Sequence, residues 1–132
     1  MKENTLKIII NRPIADVFEF TVNPKNTHLW FESIKEDTTN EYPVKVGTIY
    51  RNRGEDKDKW NELIVSALVP DELFELFDKD TYHVRYTYRQ LGPNATELTY
   101  YEWVDKGDLG GDLIADQSVL DRLKKIMEGT KE

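Results

Sequence analysis

Acids dominate the side chains of this sequence that have chemistry to offer. The chain carries 25 Asp and Glu against 18 Lys and Arg, with two His and no Cys. Two histidines without a cysteine do not make a His-rich or Cys-rich zinc site, and disulfides and thiolate chemistry are excluded. No HExxH, Walker loop, GxGxxG or GxSxG occurs in the sequence, so neither a metal nor a nucleotide cofactor is expected. What remains is carboxylate and phenol chemistry: proton transfer by a desolvated acid, or hydrogen bonding of a guest molecule by carboxylates and tyrosines.

Glu102 is the acid that stands out. Strand alternation over Thr96 to Val104 puts Leu98, Tyr100, Glu102 and Val104 on one face and Thr99, Tyr101 and Trp103 on the other. If the first face lines an interior, Glu102 is partly desolvated, its pKa is raised, and it becomes a candidate general acid/base or ligand anchor. The competing reading is a bulge or strand end that returns it to water. Tyr82, Val84, Tyr86 and Tyr88 alternate with His83, Arg85, Thr87 and Arg89, so His83 is expected outside. Arg51 and Arg53 share a strand face. They suit bidentate capture of a ligand carboxylate, but arginine is seldom buried without a partner, which favours the surface. His28, two residues before Trp30, reads as an exposed helical histidine. Trp30, Phe31, Tyr50, Trp60, Phe74, Tyr82, Tyr86, Tyr88 and Tyr100 are expected to be core and, where space remains, the walls of a cavity.

The elements that would position these residues follow from pattern. Thr5 to Asn11 is a β-branched run, and Pro13 to Val22 places Ile14, Val17, Phe18 and Thr21 at i, i+3, i+4 and i+7. Asn23-Pro24 breaks that helix and starts a second short one carrying Trp30. Six strands are then expected: Ser33 to Glu41, Thr48 to Arg53, Trp60 to Val69, Leu73 to Phe77, Tyr82 to Arg89 and Thr96 to Val104. Asp112 to Glu128 closes the chain as an amphipathic helix with Leu113, Ile114, Leu120, Leu123 and Met127 on one stripe and Asp112 as its cap. At about 17 residues it spans roughly 25 Å, long enough to cross a small domain. Local connections favour an antiparallel sheet wrapped around this helix.

At 132 residues the chain is expected to form one domain, residues 1–132. It contains no apolar run long enough to insert in a membrane and no secretory leader pattern, so a cytoplasmic setting is expected. A net charge of −7 and a pI near 4.9 argue against nucleic acid as a partner.

Arg12-Pro13-Ile14-Ala15-Asp16-Val17-Phe18-Glu19-Phe20, Asn23-Pro24 with Trp30, Val46-Gly47-Thr48, Val69-Pro70, Thr96 to Tyr100, and Leu120 to Lys124 with Glu128 together resemble the SRPBCC superfamily. This is the helix-grip group of START, Bet v 1-like and polyketide cyclase/dehydrase-type proteins. The resemblance runs over nearly the whole chain. It implies an α+β fold: a seven-stranded antiparallel sheet gripping a long C-terminal helix, with two short helices between strands 1 and 2. It also implies an apolar cavity for lipids, polyketides or other small hydrophobic molecules, without fixing one chemistry.

Binding of a small hydrophobic or amphipathic ligand between sheet and helix is therefore the expected function. Trp30, Tyr50, Trp60, Tyr86, Tyr100, Glu102, Leu113 and Leu120 are the expected ligand-binding residues. Two alternatives stand beside it. One is a cyclase or hydratase in which Glu102 or Tyr86 moves protons, and the other is a protein-interaction module whose acidic convex face meets a basic partner over a collapsed cavity.

Overall fold

A computed structural model describes residues 2–78, 81–105 and 115–129. The chain begins with strand β1 (Lys2–Ile10), helix α1 (Ile14–Val22), a 3-10 turn (Pro24–Asn26) and helix α2 (Thr27–Trp30). Strands β2 (Glu36–Thr39), β3 (Ile49–Arg53), β4 (Trp60–Val69), β5 (Leu73–Phe77), β6 (Tyr82–Gly92) and β7 (Ala95–Val104) follow, and helix α3 (Gln117–Gly129) comes last. The strands form one antiparallel sheet in the order β1-β7-β6-β5-β4-β3-β2. Strands β2 to β7 are sequential neighbours, and β1 closes on β7 by pairing Lys2 with Val104 through Ile10 with Thr96.

Each element starts or stops for a local reason. Pro13 precedes α1, where its missing N–H leaves nothing unpaired. Asn23 caps the 3-10 turn by accepting from the Lys25 N–H at 3.0 Å. Val46-Gly47 forms the turn that leads into β3: Gly47 has φ +97°, a left-handed conformation that suits glycine. Strand β2 is shorter than Ser33 to Glu41, because its ladder with β3 runs only from Glu36–Arg53 to Thr39–Tyr50.

Helix α3 starts later than its periodicity suggests. Ala115 and Asp116 are not helical, and Asp112, Leu113 and Ile114 lie outside the described residues. The Asp116 side chain accepts from the Ser118 N–H at 3.0 Å and so supplies the cap expected of Asp112. The backbone of Ala115 is committed elsewhere, its N–H to Glu102 and its carbonyl to Asn4.

Leu120, Leu123 and Met127 form the buried stripe of α3, which lies along β1 and against α2. Long polar side chains fasten it there. Lys124 Nζ donates to the Ile9 carbonyl at 2.6 Å, Arg12 to the Met127 carbonyl at 2.7 Å, and Arg122 to the Trp30 carbonyl at 3.0 Å.

Alternation decides the two faces of the sheet. Tyr82, Val84, Tyr86 and Tyr88 of β6 and Thr96, Leu98, Tyr100, Glu102 and Val104 of β7 are all buried. On the outer face Phe77, His83, Trp103 and Tyr101 stack in series, with the His83 and Trp103 rings 4.7 Å apart and 5° from parallel. That face is not uniformly acidic. Arg51–Glu62, Arg53–Glu36, Arg85–Glu75 and Arg89–Glu97 pair across neighbouring strands at 2.7–3.3 Å. Among the described residues no helix is long and apolar enough to cross a membrane.

Candidate functional site

The interior is organised by aromatic rings. Trp30 and Phe31, at the end of α2, sit 4.4 Å apart, and each meets a tyrosine of the sheet: Trp30 to Tyr86 at 6.0 Å and Phe31 to Tyr100 at 6.1 Å. Tyr86 and Tyr100 face one another across β6 and β7 at 5.4 Å and close the circuit. Phe74 and then Tyr50 extend the layer towards β3 at 5.5 and 5.6 Å. These are ordinary contact distances between rings. A guest molecule must therefore move rings in this layer to enter it.

Two carboxylates flank the layer. At the β1 side, Glu102 is fully buried. Its Oε1 accepts from the Tyr82 hydroxyl at 2.6 Å and the Tyr100 hydroxyl at 3.0 Å. Its Oε2 accepts from Asn4 Nδ2 at 2.8 Å and the Ala115 N–H at 2.9 Å. Register makes this possible, since Glu102 lies between Asn4 on β1 and Val84 on β6. A carboxylate offers about four acceptor positions, and here four donors from within the chain take them. Glu102 is inside, as alternation requires, but it ties β1, β6, β7 and the approach to α3 together and has no lone pair left to orient a ligand.

At the β2 side the partnering is incomplete. Asp37 Oδ2 accepts from the Thr27 hydroxyl at 2.8 Å, while Oδ1 is out of contact with solvent and has no partner among the described residues. The indole Nε1 of Trp30, one turn beyond Thr27 on α2, is buried and unpartnered in the same way. Asp37 pairs in register with Asn52, a second buried polar residue. Asn61 donates weakly to Asn52 at 3.4 Å. Burial pushes the Asp37 carboxyl up to about 7, and the Thr27 and Thr38 hydrogen bonds offset only part of this. Its charge reaches Tyr50 and Tyr86: burial is the main cause that raises both phenols, and Asp37 adds to it.

The expected ligand-binding residues divide accordingly. Trp30, Tyr50, Tyr86, Tyr100, Glu102 and Leu120 are buried. The hydroxyls of Tyr50 and Tyr100 are engaged, Tyr50 donating to the Val22 carbonyl at 2.6 Å. The Tyr86 hydroxyl makes no hydrogen bond among the described residues. Trp60 does not line the interior. It pairs with Arg53 on the outer face, where Arg51 and Arg53 lie over its ring at 5.0 and 5.8 Å. Leu113 is outside the described residues. Arg51 and His28 are exposed, and His83 points outward beside Asp105 at 3.0 Å.

Asp37 and Asn52 are the residues that sequence reasoning missed. The phase of a short, wholly polar strand cannot be read from itself. A signal existed in β3: an inward Tyr50 makes its partner Thr39 inward, and Asp37 with it.

A groove of about 330 Å³ opens between α1 and the end of α3, lined by Arg12, Asp16, Glu19, Phe20, Asn26, Ile126 and Met127. It is not the expected space between sheet and helix. Among the described residues no three His, Asp or Glu side chains gather into a metal site.

This arrangement, an antiparallel seven-stranded sheet with a C-terminal helix and two short helices between β1 and β2, is a helix-grip fold. The chain superposes on a START superfamily protein from Mycobacterium smegmatis with a TM-score of 0.74 and 13% identity, covering 96% of this chain and 97% of the other. It superposes on the Aha1 dimer from Colwellia psychrerythraea with a TM-score of 0.73 and 14% identity, covering all of both chains. For Ara h 8.0201 the TM-score is 0.64 at 11% identity, covering 98% and 99%. No protein-family model matches the chain, and no curated protein matches it in sequence.

Proposed function

We propose that this protein binds a small apolar or amphipathic molecule in the aromatic interior between the sheet, α2 and α3. The observation that carries this reading is the unused hydrogen-bonding capacity beside a layer of rings, at the buried, unpartnered Trp30 Nε1 and Asp37 Oδ1. Fully buried polar groups are nearly always paired, so an unpaired one in an apolar setting suits a ligand contact. Apolar surface of the guest supplies affinity, about 25 cal/mol per Å² before ordering costs, and the rings that shift supply the room. A cytoplasmic setting goes with this reading and with the lack of cysteine. Native mass spectrometry of freshly purified protein tests it: the expected result is a co-purifying hydrophobic molecule that is lost in Tyr86→Trp, where the added bulk fills the space.

Two observations favour other readings. A carboxyl held near neutrality suits proton transfer, which supports a cyclase or hydratase that uses Asp37 in place of Glu102. Closed ring contacts support a collapsed interior and a protein-interaction role. Chemical turnover of a bound polyketide-like molecule, or a protein partner captured with no small molecule present, would favour the first or the second respectively.

A further inference from the structure

The β2 corner of the interior has a defined hydrogen-bonding polarity. Asp37 Oδ1 accepts and Trp30 Nε1 donates, and both are buried without a partner among the described residues. α2 holds them on one side of the interior. Thr27 fixes the carboxylate through Oδ2, and Trp30, three residues later, packs on Tyr86. The charge surrounding this corner is equally defined. The buried polar residues are Thr21, Thr48, Asn52, Thr96 and Glu102, so among the described residues no Lys or Arg is buried. The two cations of β3, Arg51 and Arg53, lie on the outer face, paired with Glu62 at 3.3 Å and Glu36 at 3.0 Å. Arg122 of α3, beside Trp30, is committed to the Trp30 carbonyl at 3.0 Å and to Glu32 at 3.2 Å, so an anionic guest would meet a second carboxylate and no uncommitted counter-charge, whereas an uncharged guest with an N–H beside a carbonyl would satisfy both orphaned atoms.

We propose that Asp37 and Trp30 form the polar anchor of the interior, selecting uncharged ligands that carry a donor and an acceptor together, such as a carboxamide or lactam on an apolar ring, and rejecting the matching carboxylates. This rests on the interior-binding reading above and names the ligand class for it. Asp37 accepts the ligand N–H at Oδ1. Trp30 donates to the ligand carbonyl, and the rings of Tyr86 and Phe74 hold the apolar part.

The test compares 2-naphthamide with 2-naphthoate, which share one ring frame and differ in the group that meets the anchor. The full chain is labelled with nitrogen-15 and the indole N–H signals of its three tryptophans are followed, with Trp30 assigned through Trp30→Phe. At pH 8 the amide is expected to bind roughly 10- to 100-fold more tightly than the carboxylate and to move the Trp30 indole signal. Asp37→Asn is expected to reduce that preference to about threefold or less, since the repelling charge is gone. A measurement on the unaltered chain at pH 5.5 needs no variant. There Asp37 takes up its proton while 2-naphthoate stays ionised, and the preference shrinks in the same direction. The titratable groups facing Asp37 are Tyr50 on β3 and Tyr86 on β6, both neutral throughout this range, while His28 on α2 is exposed.

Equal binding of the two probes, a Trp30 signal that does not move, or a preference that survives Asp37→Asn overturns the anchor and leaves interior binding standing. Failure of both probes to bind at millimolar concentration overturns the anchor and the binding reading together, and leaves water as the partner of the two atoms.

Discussion

The two ends of the aromatic layer treat a buried carboxylate in opposite ways. Glu102, on the interior strand β7, is surrounded by donors from both neighbouring strands, from β7 itself and from the approach to α3, and its four hydrogen bonds are all internal. Asp37, on the edge strand β2, has one side-chain donor, and its other oxygen is left bare. The acid with the deeper burial is the structural one. Partnering separates a carboxylate that holds the fold together from one with capacity to spare, and burial alone does not.

The largest expected effect breaks the Glu102 end. Glu102→Ala strips the acceptor from Tyr82, Tyr100, Asn4 and Ala115 at once and leaves several donors buried and unmatched. Urea denaturation is expected to show a loss of about 3–5 kcal/mol. A loss below about 1 kcal/mol would show that the network is dispensable.

Asp37→Asn should act in the other direction, and with pH. Folding raises this carboxyl from 3.8 to about 7, so between those values the folded chain holds a proton that the unfolded chain has released. Its contribution is fully present below pH 4 and is lost as pH rises through 7. Thermal unfolding of Asp37→Asn is expected to match the unaltered protein at pH 4 and to exceed it by roughly 5–10 °C at pH 8. Equal melting temperatures at pH 8 would contradict the raised pKa.

Two tyrosines of the same circuit sharpen the contrast. Tyr100→Phe removes one of the Glu102 donors and is expected to cost about 1–2 kcal/mol. Tyr86→Phe removes a hydroxyl with nothing to lose and should change stability by less than about 0.5 kcal/mol. Similar costs for the pair would mean that the Tyr86 hydroxyl is engaged after all.

The smallest effect lies outside the layer. Trp60→Phe keeps a ring under Arg51 and Arg53 and is expected to cost less than about 1 kcal/mol. It should leave the affinity for any interior probe unchanged in a fluorescence titration, because the ring stands on the other face of the sheet.

Much of the framework is legible in the sequence. Strands β4 and β5 fall on the expected ranges, and β6 and β7 extend them by a few residues. Their alternation places Tyr82, Tyr86, Tyr88, Tyr100 and Glu102 inside and His83, Tyr101 and Trp103 outside. These readings hold because the period of a strand is a local property, and apolar residues on one side set its phase. Trp60 is the exception: it heads β4, and its register with the outward Arg53 puts it on the outer face, which its aromatic character alone does not reveal. Asp37 failed because EDTT contains no apolar residue to reveal which side is in.

Composition, period and turn chemistry thus determined the elements, their order, the buried stripe of α3 and the aromatic inner face, since each depends on residues close together in the chain. Tertiary structure alone decided where α3 begins, which face β2 turns inward and how the two acids are partnered. The donors that saturate Glu102 include Asn4, 98 residues away, and Ala115, 13 residues away, while Asp37 owes its phase to β3 and its partner to α2. A hydrogen bond between distant segments exists only once the sheet has closed, and no local pattern can announce it.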